Sequence, residues 1–291
     1  PKQKSKRATC AIAKSDIPID LARTGKPQGK LSVIGIGPGQ DAWRTPEASL
    51  LIDEATDLVA YGLYLDLLGD VCEGKTHHQL PLGEEIARAR LALDLAASGK
   101  ATALISSGDI GIYAMATLVF ELIEVEKRKD WDRIDIQVTP GISALQAAAA
   151  RAGAPLGHDF CTISLSDLLT PWETIEKRIK AAAAGDFVIA FYNPVSRKRR
   201  TQLKTARDIL LQNRPETTPV VIARNLGRED ETVRIVTLKD LDPEKVDMLT
   251  LVMVGSSESR MTISNSGQKH WAYTPRGYAG KMAVTKKETE E

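Results

Sequence analysis

Continuous apolar runs, each closed by small residues and followed by a helical period, constrain this chain more than any other feature. LSVIGIG (31–37) precedes PEASLLIDEA (46–55), ATALIS (101–106) precedes IYAMATLVFELIEVEKR (112–128), and IDIQVTP (134–140) precedes ISALQAAAARAG (142–153). TDLVAY (56–61) adds a strand, and EEIARARLALDLAAS (84–98) adds an amphipathic helix ending before Gly99. A strand that is apolar at successive positions is buried on both faces. A helix after each strand carries the chain back to the same edge. The pattern predicts a mostly parallel sheet covered on both sides.

The second half reads differently. FCTISLSD (160–167), FVIAFYNP (187–194), TPVVIARN (218–225), ETVRIVTL (231–238) and LTLVMVGSS (249–257) have strand patterns. Helices near 172–184 and 199–213 separate the first three, and no long helix separates the last two. This predicts a mixed sheet in a second α/β domain. The expected organisation is a flexible basic arm over 1–29, an N-terminal α/β domain over 30–142, a C-terminal α/β domain over 143–279 and a flexible tail over 280–291.

Composition narrows the function classes. Lys plus Arg is 39 and Asp plus Glu 38 in 291 residues, a formal charge of +1, so no basic excess points to nucleic acid. No run approaches about 18 uninterrupted apolar residues, so no membrane span is expected. The three cysteines, Cys10, Cys72 and Cys161, are far apart and form neither a disulfide framework nor a metal knuckle. They fit a reducing cytoplasm, and the four histidines lack metal spacing. His77 and His78 lie on a strand-like edge; they read as surface or packing residues, with contact to a substrate as the alternative.

Three small-residue loops fall at strand ends of the first sheet: Gly35-Ile36-Gly37-Pro38-Gly39, Ser106-Ser107-Gly108-Asp109-Ile110-Gly111-Ile112-Tyr113, and Pro140-Gly141-Ile142-Ser143-Ala144. Open α/β sheets bind ligands at their carboxyl edge. A dinucleotide fingerprint fails in the first loop, because a third glycine would fall at Gln40, Pro38 removes an N–H, and no carboxylate ends the second strand. A phosphate-binding loop fails because no Gly-Lys-Ser/Thr follows. The plainer alternatives are a tight strand-to-helix turn for the first loop and a helix cap for Asp109.

VIGIGPG, SSGDIGIY, VTPGISA and FYNP, in this order, resemble the tetrapyrrole methylase family over about residues 30–257. AYGLYLDLL, SSGDIGIYAMA, FYNPVSRKR and RNLGRE are most similar to its branch that methylates a corrin precursor of cobalamin biosynthesis at carbon 17. The resemblance implies two α/β domains with the active site in the interdomain cleft, S-adenosylmethionine as methyl donor, S-adenosylhomocysteine as product, and a homodimer. It implies precorrin-3B as the small-molecule tetrapyrrole substrate and ring contraction to precorrin-4. A cobalt-containing precorrin of the anaerobic branch stays open.

By the same resemblance, the cofactor-binding candidates are Gly37, Pro38, Ser107, Gly108, Asp109, Ile112, Ser143, Ala144, Asn193, and Asn225 or Leu226. The related uroporphyrinogen methylases carry an acid where Gly62 stands and a lysine where HHQLPLG stands, and the acid of their first loop is displaced to Asp41. These departures argue against uroporphyrinogen and leave the acid–base group unassigned. Tyr61, Tyr64, Asp109 and Tyr113 are the candidates, with packing as the alternative for Tyr61 and Tyr64. Arg197 and Arg199, in the run Arg197-Lys198-Arg199-Arg200, are candidate grips for the substrate's carboxylates. A solvated helix face is the alternative.

Methylation of a protein or RNA target on the same fold, a nucleotide-dependent oxidoreductase, and a non-catalytic domain cut from a larger polypeptide are the competing readings. The AYGLYLDLL and FYNPVSRKR segments weigh against the first, and the missing third glycine against the second.

Overall fold

The structure, a computed structural model, describes residues 27–264, 267 and 270–278. Residues 1–26 of the arm expected over 1–29, and the tail expected over 280–291, lie outside the described residues.

The first half runs β1 (Lys30–Gly35), α1 (Pro46–Glu54), β2 (Asp57–Ala60), α2 (Gly62–Asp66), β3 (Thr76–Gln79), α3 (Glu85–Ala97), β4 (Ala101–Ser106), α4 (Met115–Glu126) and β5 (Asp135–Thr139). Its strands form one five-stranded sheet in the order β3-β2-β4-β1-β5, and every pairing is parallel. Side chains alternate across a strand, so each strand supplies two cores. Leu31, Val33, Val59 and Leu104 pack with α3 and α4, whereas Ile34, Leu58, Ala103 and Ile105 pack with α1. Local signals start α1: Pro46 occupies its first turn, and the Thr45 hydroxyl accepts from Ala48 N at 3.1 Å.

The second half runs α5 (Ala144–Ala152), β6 (Gly153–Ala154), β7 (Phe160–Ser164), α6 (Trp172–Ala184), β8 (Val188–Tyr192), α7 (Gln202–Leu211), β9 (Pro219–Arg224), β10 (Thr232–Thr237), β11 (Thr250–Val254), β12 (Arg260–Ile263) and β13 (His270–Tyr273). The second sheet has the order β10-β9-β11-β8-β7. Only β7 and β8 are parallel; the other pairings are antiparallel, so the sheet is mixed. Ile189, Phe191, Val220, Ile222, Val252 and Val254 face α6 and α7, and Val188, Ala190, Val221, Ala223, Leu251 and Met253 face α5.

Three features depart from the sequence reading. A small third sheet, β12-β13-β6, has too few apolar positions to announce itself. The helix expected over 112–128 begins only at Met115, because Tyr113 adopts a left-handed φ of 53° that no helix tolerates. The helix expected over 199–213 begins at Gln202, which leaves Arg197–Arg200 in the preceding loop rather than on a helix face.

At the amino edge of the first sheet lies a buried charge. The Asp57 carboxylate accepts from Lys100 Nζ at 2.7 Å, His78 Nε2 at 2.8 Å and Thr56 Oγ1 at 2.8 Å. Burial pushes this carboxyl up, but the bonds from Lys100, His78 and Thr56 outweigh it and hold it below the ordinary aspartate value. A carboxyl lowered on folding stabilises the fold above its unfolded pKa, and that contribution is lost as pH falls through the folded value. Lys100→Met should cost about 1–2 kcal/mol near neutral pH, less than for a fully buried pair because Lys100 is partly exposed. Its acid-unfolding midpoint, followed by circular dichroism, should move to higher pH.

Candidate active site

The sheet order sets β4, β1 and β5 side by side, so their carboxyl-end loops converge. Gly37 and Gly108 form an isolated bridge: Gly37 N donates to Gly108 O at 3.1 Å, and Gly108 N to Gly37 O at 2.7 Å. Asp109 ties the second loop to the third, accepting from Gly111 N at 2.8 Å and Gly141 N at 3.2 Å. It does not cap α4, whose N-cap is Ala114. A Cβ on Gly35 would lie 2.7 Å from Gly108 O, 2.8 Å from Gly141 N and 2.9 Å from Ile110 N. Only glycine lets the three backbones meet there.

The second domain closes the other side. Asn193 follows β8 and Asn225 follows β9, both in left-handed conformation with φ of 49° and 52°. Asparagine tolerates that region better than most residues. With Tyr113, these make three of the five non-glycine residues with positive φ among those described, and all three line one hollow. Such conformations cluster at functional sites. The Tyr192 hydroxyl accepts from Leu145 N at 3.0 Å, and its ring lies 5.2 Å from that of Tyr113. Tyr113 Oη in turn donates to Thr162 Oγ1 of β7 at 3.2 Å, crossing between the domains.

The hollow measures about 260 Å³. Pro38, Ser107, Gly108, Asp109, Ile112, Ser143, Ala144, Asn193, Asn225 and Leu226 all border it. Gly37 stands behind them in the Gly108 bridge. Tyr64 and Tyr113 also face the hollow, whereas Tyr61 lies outside its lining, edge-on to the Tyr64 ring at 5.5 Å. Burial pushes the phenols of Tyr64 and Tyr192 up, so both stay protonated at neutral pH.

The arginine run does not enter the hollow. The largely buried Arg199 turns inward, with Nη2 donating to Asn193 O at 3.0 Å and Nη1 to Ser166 Oγ at 3.3 Å. It therefore holds the loop that carries Asn193. Arg197 is exposed. Sequence reasoning missed Tyr192, Arg228 and the stretch 248–251. The first two sit inside the quoted FYNP and RNLGRE motifs, and 248–251 carries no local signal.

Residues 30–242 match the family model of tetrapyrrole (corrin/porphyrin) methylases. A cobalamin biosynthesis protein CobIJ of Mycobacterium tuberculosis is 44% identical over 89% of this chain, but the chain spans only 50% of that protein's length. A precorrin-3B C(17)-methyltransferase of a Sinorhizobium species is 42% identical, over 87% of this chain and 98% of its own. A probable cobalt-factor III C(17)-methyltransferase of Salmonella typhimurium is 46% identical, over 85% and 99%. Among solved structures, that of the methyltransferase CobJ aligns with a TM-score of 0.78 at 41% identity, covering 85% of this chain and all of that one.

The glycine junction is directly testable. Gly35→Ala should destabilise the protein by about 1–3 kcal/mol in urea denaturation, because the atoms it meets are backbone and cannot yield cheaply.

Proposed function

The chain belongs to the tetrapyrrole methylases, and from that membership we propose that it methylates precorrin-3B at carbon 17, using S-adenosylmethionine, with contraction of the ring to precorrin-4. One observation carries the reading. The three small-residue loops and the Asn193 and Asn225 turns, far apart in sequence, border a single hollow between the two sheets. We further take the working enzyme to be a cytoplasmic homodimer, as the resemblance implies; among the described residues, no helix is long and apolar enough to cross a membrane.

The residues suit such a cofactor. Gly108 has a φ of 71° and faces open space where a Cβ would stand, so a ligand can lie against its backbone. S-adenosylmethionine, when bound, supplies a methyl group on a good leaving group, so the demand on the protein is positioning. A near-attack separation is about 3–3.5 Å. Pro38 and Gly108, the latter tied to Gly37 by the backbone bridge, line the hollow together with Ser143, Ala144, Asn193 and Leu226.

The acid–base candidates separate by their partners. Both oxygens of Asp109 accept backbone N–H groups, which suits loop positioning. The Tyr113 hydroxyl is engaged with Thr162. Tyr64 faces the hollow as a neutral phenol, and its hydroxyl makes no hydrogen bond to another described residue. It is the group available to donate to a substrate oxygen while the ring contracts. Arg197, exposed on the loop after Asn193, is the member of the arginine run available to meet the substrate's acid arms. The Salmonella relative favours a second reading, in which the same methylation acts on a cobalt-containing macrocycle.

Calorimetry should show binding of S-adenosylhomocysteine and none of NADH. Incubation with precorrin-3B and methyl-labelled S-adenosylmethionine should give a product carrying one labelled methyl group by mass spectrometry. Label transferred only to cobalt-factor III would select the second reading. Tyr64→Phe should lower turnover about a hundredfold, the size of a lost general acid, with affinity for S-adenosylhomocysteine unchanged.

A further inference from the structure

Among the described residues, Arg228 is a cation without a carboxylate partner. It follows the Asn225-Leu226-Gly227 turn, lies half-buried, and borders the hollow beside Tyr64. Its guanidinium's described hydrogen bonds all go to neutral oxygens, and all are long: Nε to Pro38 O at 3.3 Å, Nη1 to Asn225 Oδ1 at 3.4 Å and Nη2 to Ser107 Oγ at 3.3 Å. Several arginines that bond directly to a carboxylate elsewhere sit closer. Arg151 is 2.6 Å from Glu231, and Arg224 is 2.6 Å from Asp247. Charge-assisted bonds belong in that shorter range.

The hollow offers no internal partner. Among the described residues on its lining Asp109 is the only carboxylate, and its oxygens are taken by Gly111 N and Gly141 N. A half-buried guanidinium carries five N–H donors and costs free energy unless an anion approaches. Its three loose contacts hold the fork in place without satisfying it. The neighbouring Tyr64 hydroxyl, unbonded among the described residues, is a second donor that lines the hollow.

We infer that Arg228 is the carboxylate receptor of the cleft, taking a ligand carboxylate on its planar fork. Two sources share that chemistry: the α-carboxylate of the methyl donor's amino-acid part, and an acid arm of the macrocycle. Both belong to the function proposed above, and the inference rests on that reading. The contacts to Pro38 and Ser107 on one domain and Asn225 on the other place the bound carboxylate where both domains meet.

The test compares the parent chain with Arg228→Met and Arg228→Lys. Calorimetry measures S-adenosylhomocysteine and 5′-methylthioadenosine, which lacks the amino-acid part, and steady-state kinetics give the KM for the tetrapyrrole. If the receptor serves the methyl donor, Arg228→Met weakens S-adenosylhomocysteine about tenfold or more and leaves methylthioadenosine unchanged. If it serves the macrocycle, both nucleosides bind as before and the tetrapyrrole KM rises about tenfold or more. In either case Arg228→Lys, which keeps the charge but not the fork, recovers part of the loss; it also stands in if the methionine variant fails to fold. Equal weakening of both nucleosides would make Arg228 a mere latch between loops and overturn the inference, as would unchanged affinities and KM throughout. A parent chain that binds no S-adenosylhomocysteine and turns over no tetrapyrrole would refute the proposed function and this inference with it.

Discussion

Backbone meeting backbone at Gly35, Gly108 and Gly141 is the constraint on which the rest of the site depends. No side chain fits at Gly35, so the ends of β1, β4 and β5 approach as closely as main chains allow. The Gly37–Gly108 bridge and the Asp109 carboxylate then hold the three loops at fixed separation. A wall built from main chain has few rotamers to reorganise, which is what precise placement of a small reactive group requires.

The second domain is held against that wall by a chain of contacts. The Arg151 guanidinium lies 4.3 Å from the centre of the Trp43 ring, and Arg151 bonds Glu231 at 2.6 Å. The other Glu231 oxygen accepts from Gly227 N at 2.7 Å. A Cβ on Gly227 would meet Pro38, and one on Gly39 would come within 2.6 Å of Gly227 O. The turn carrying Leu226 and Arg228 is thereby fixed against the first loop of the other domain. The strained conformations at Tyr113, Asn193 and Asn225 sit along the same boundary, held by the packing around them.

Much of this was legible beforehand, for physical reasons. The central strands β1, β2, β4, β8, β9 and β11 are buried on both faces, so their composition alone marks them, and the long helices carry clear apolar periods. The missed elements are short or exposed. α2 has five residues, β6 two, and β12 is exposed throughout, so tertiary contact rather than local preference makes them. The arginine run is ambiguous in sequence for a related reason: a string of cations looks alike whether it faces solvent or, as Arg199 does, turns in to hold a carbonyl.

The sequence by itself determined the two α/β halves, the parallel and mixed sheets, and the motifs that carry the resemblance. These rest on local pattern: apolar period, glycine placement and capping. Only the tertiary structure decided that β1 lies between β4 and β5, that Tyr64 rather than Tyr61 faces the hollow, and that Arg228 stands there without a carboxylate partner among the described residues. Those outcomes depend on which surfaces meet after the chain has crossed from one sheet to the other, and no window of neighbouring residues encodes that meeting.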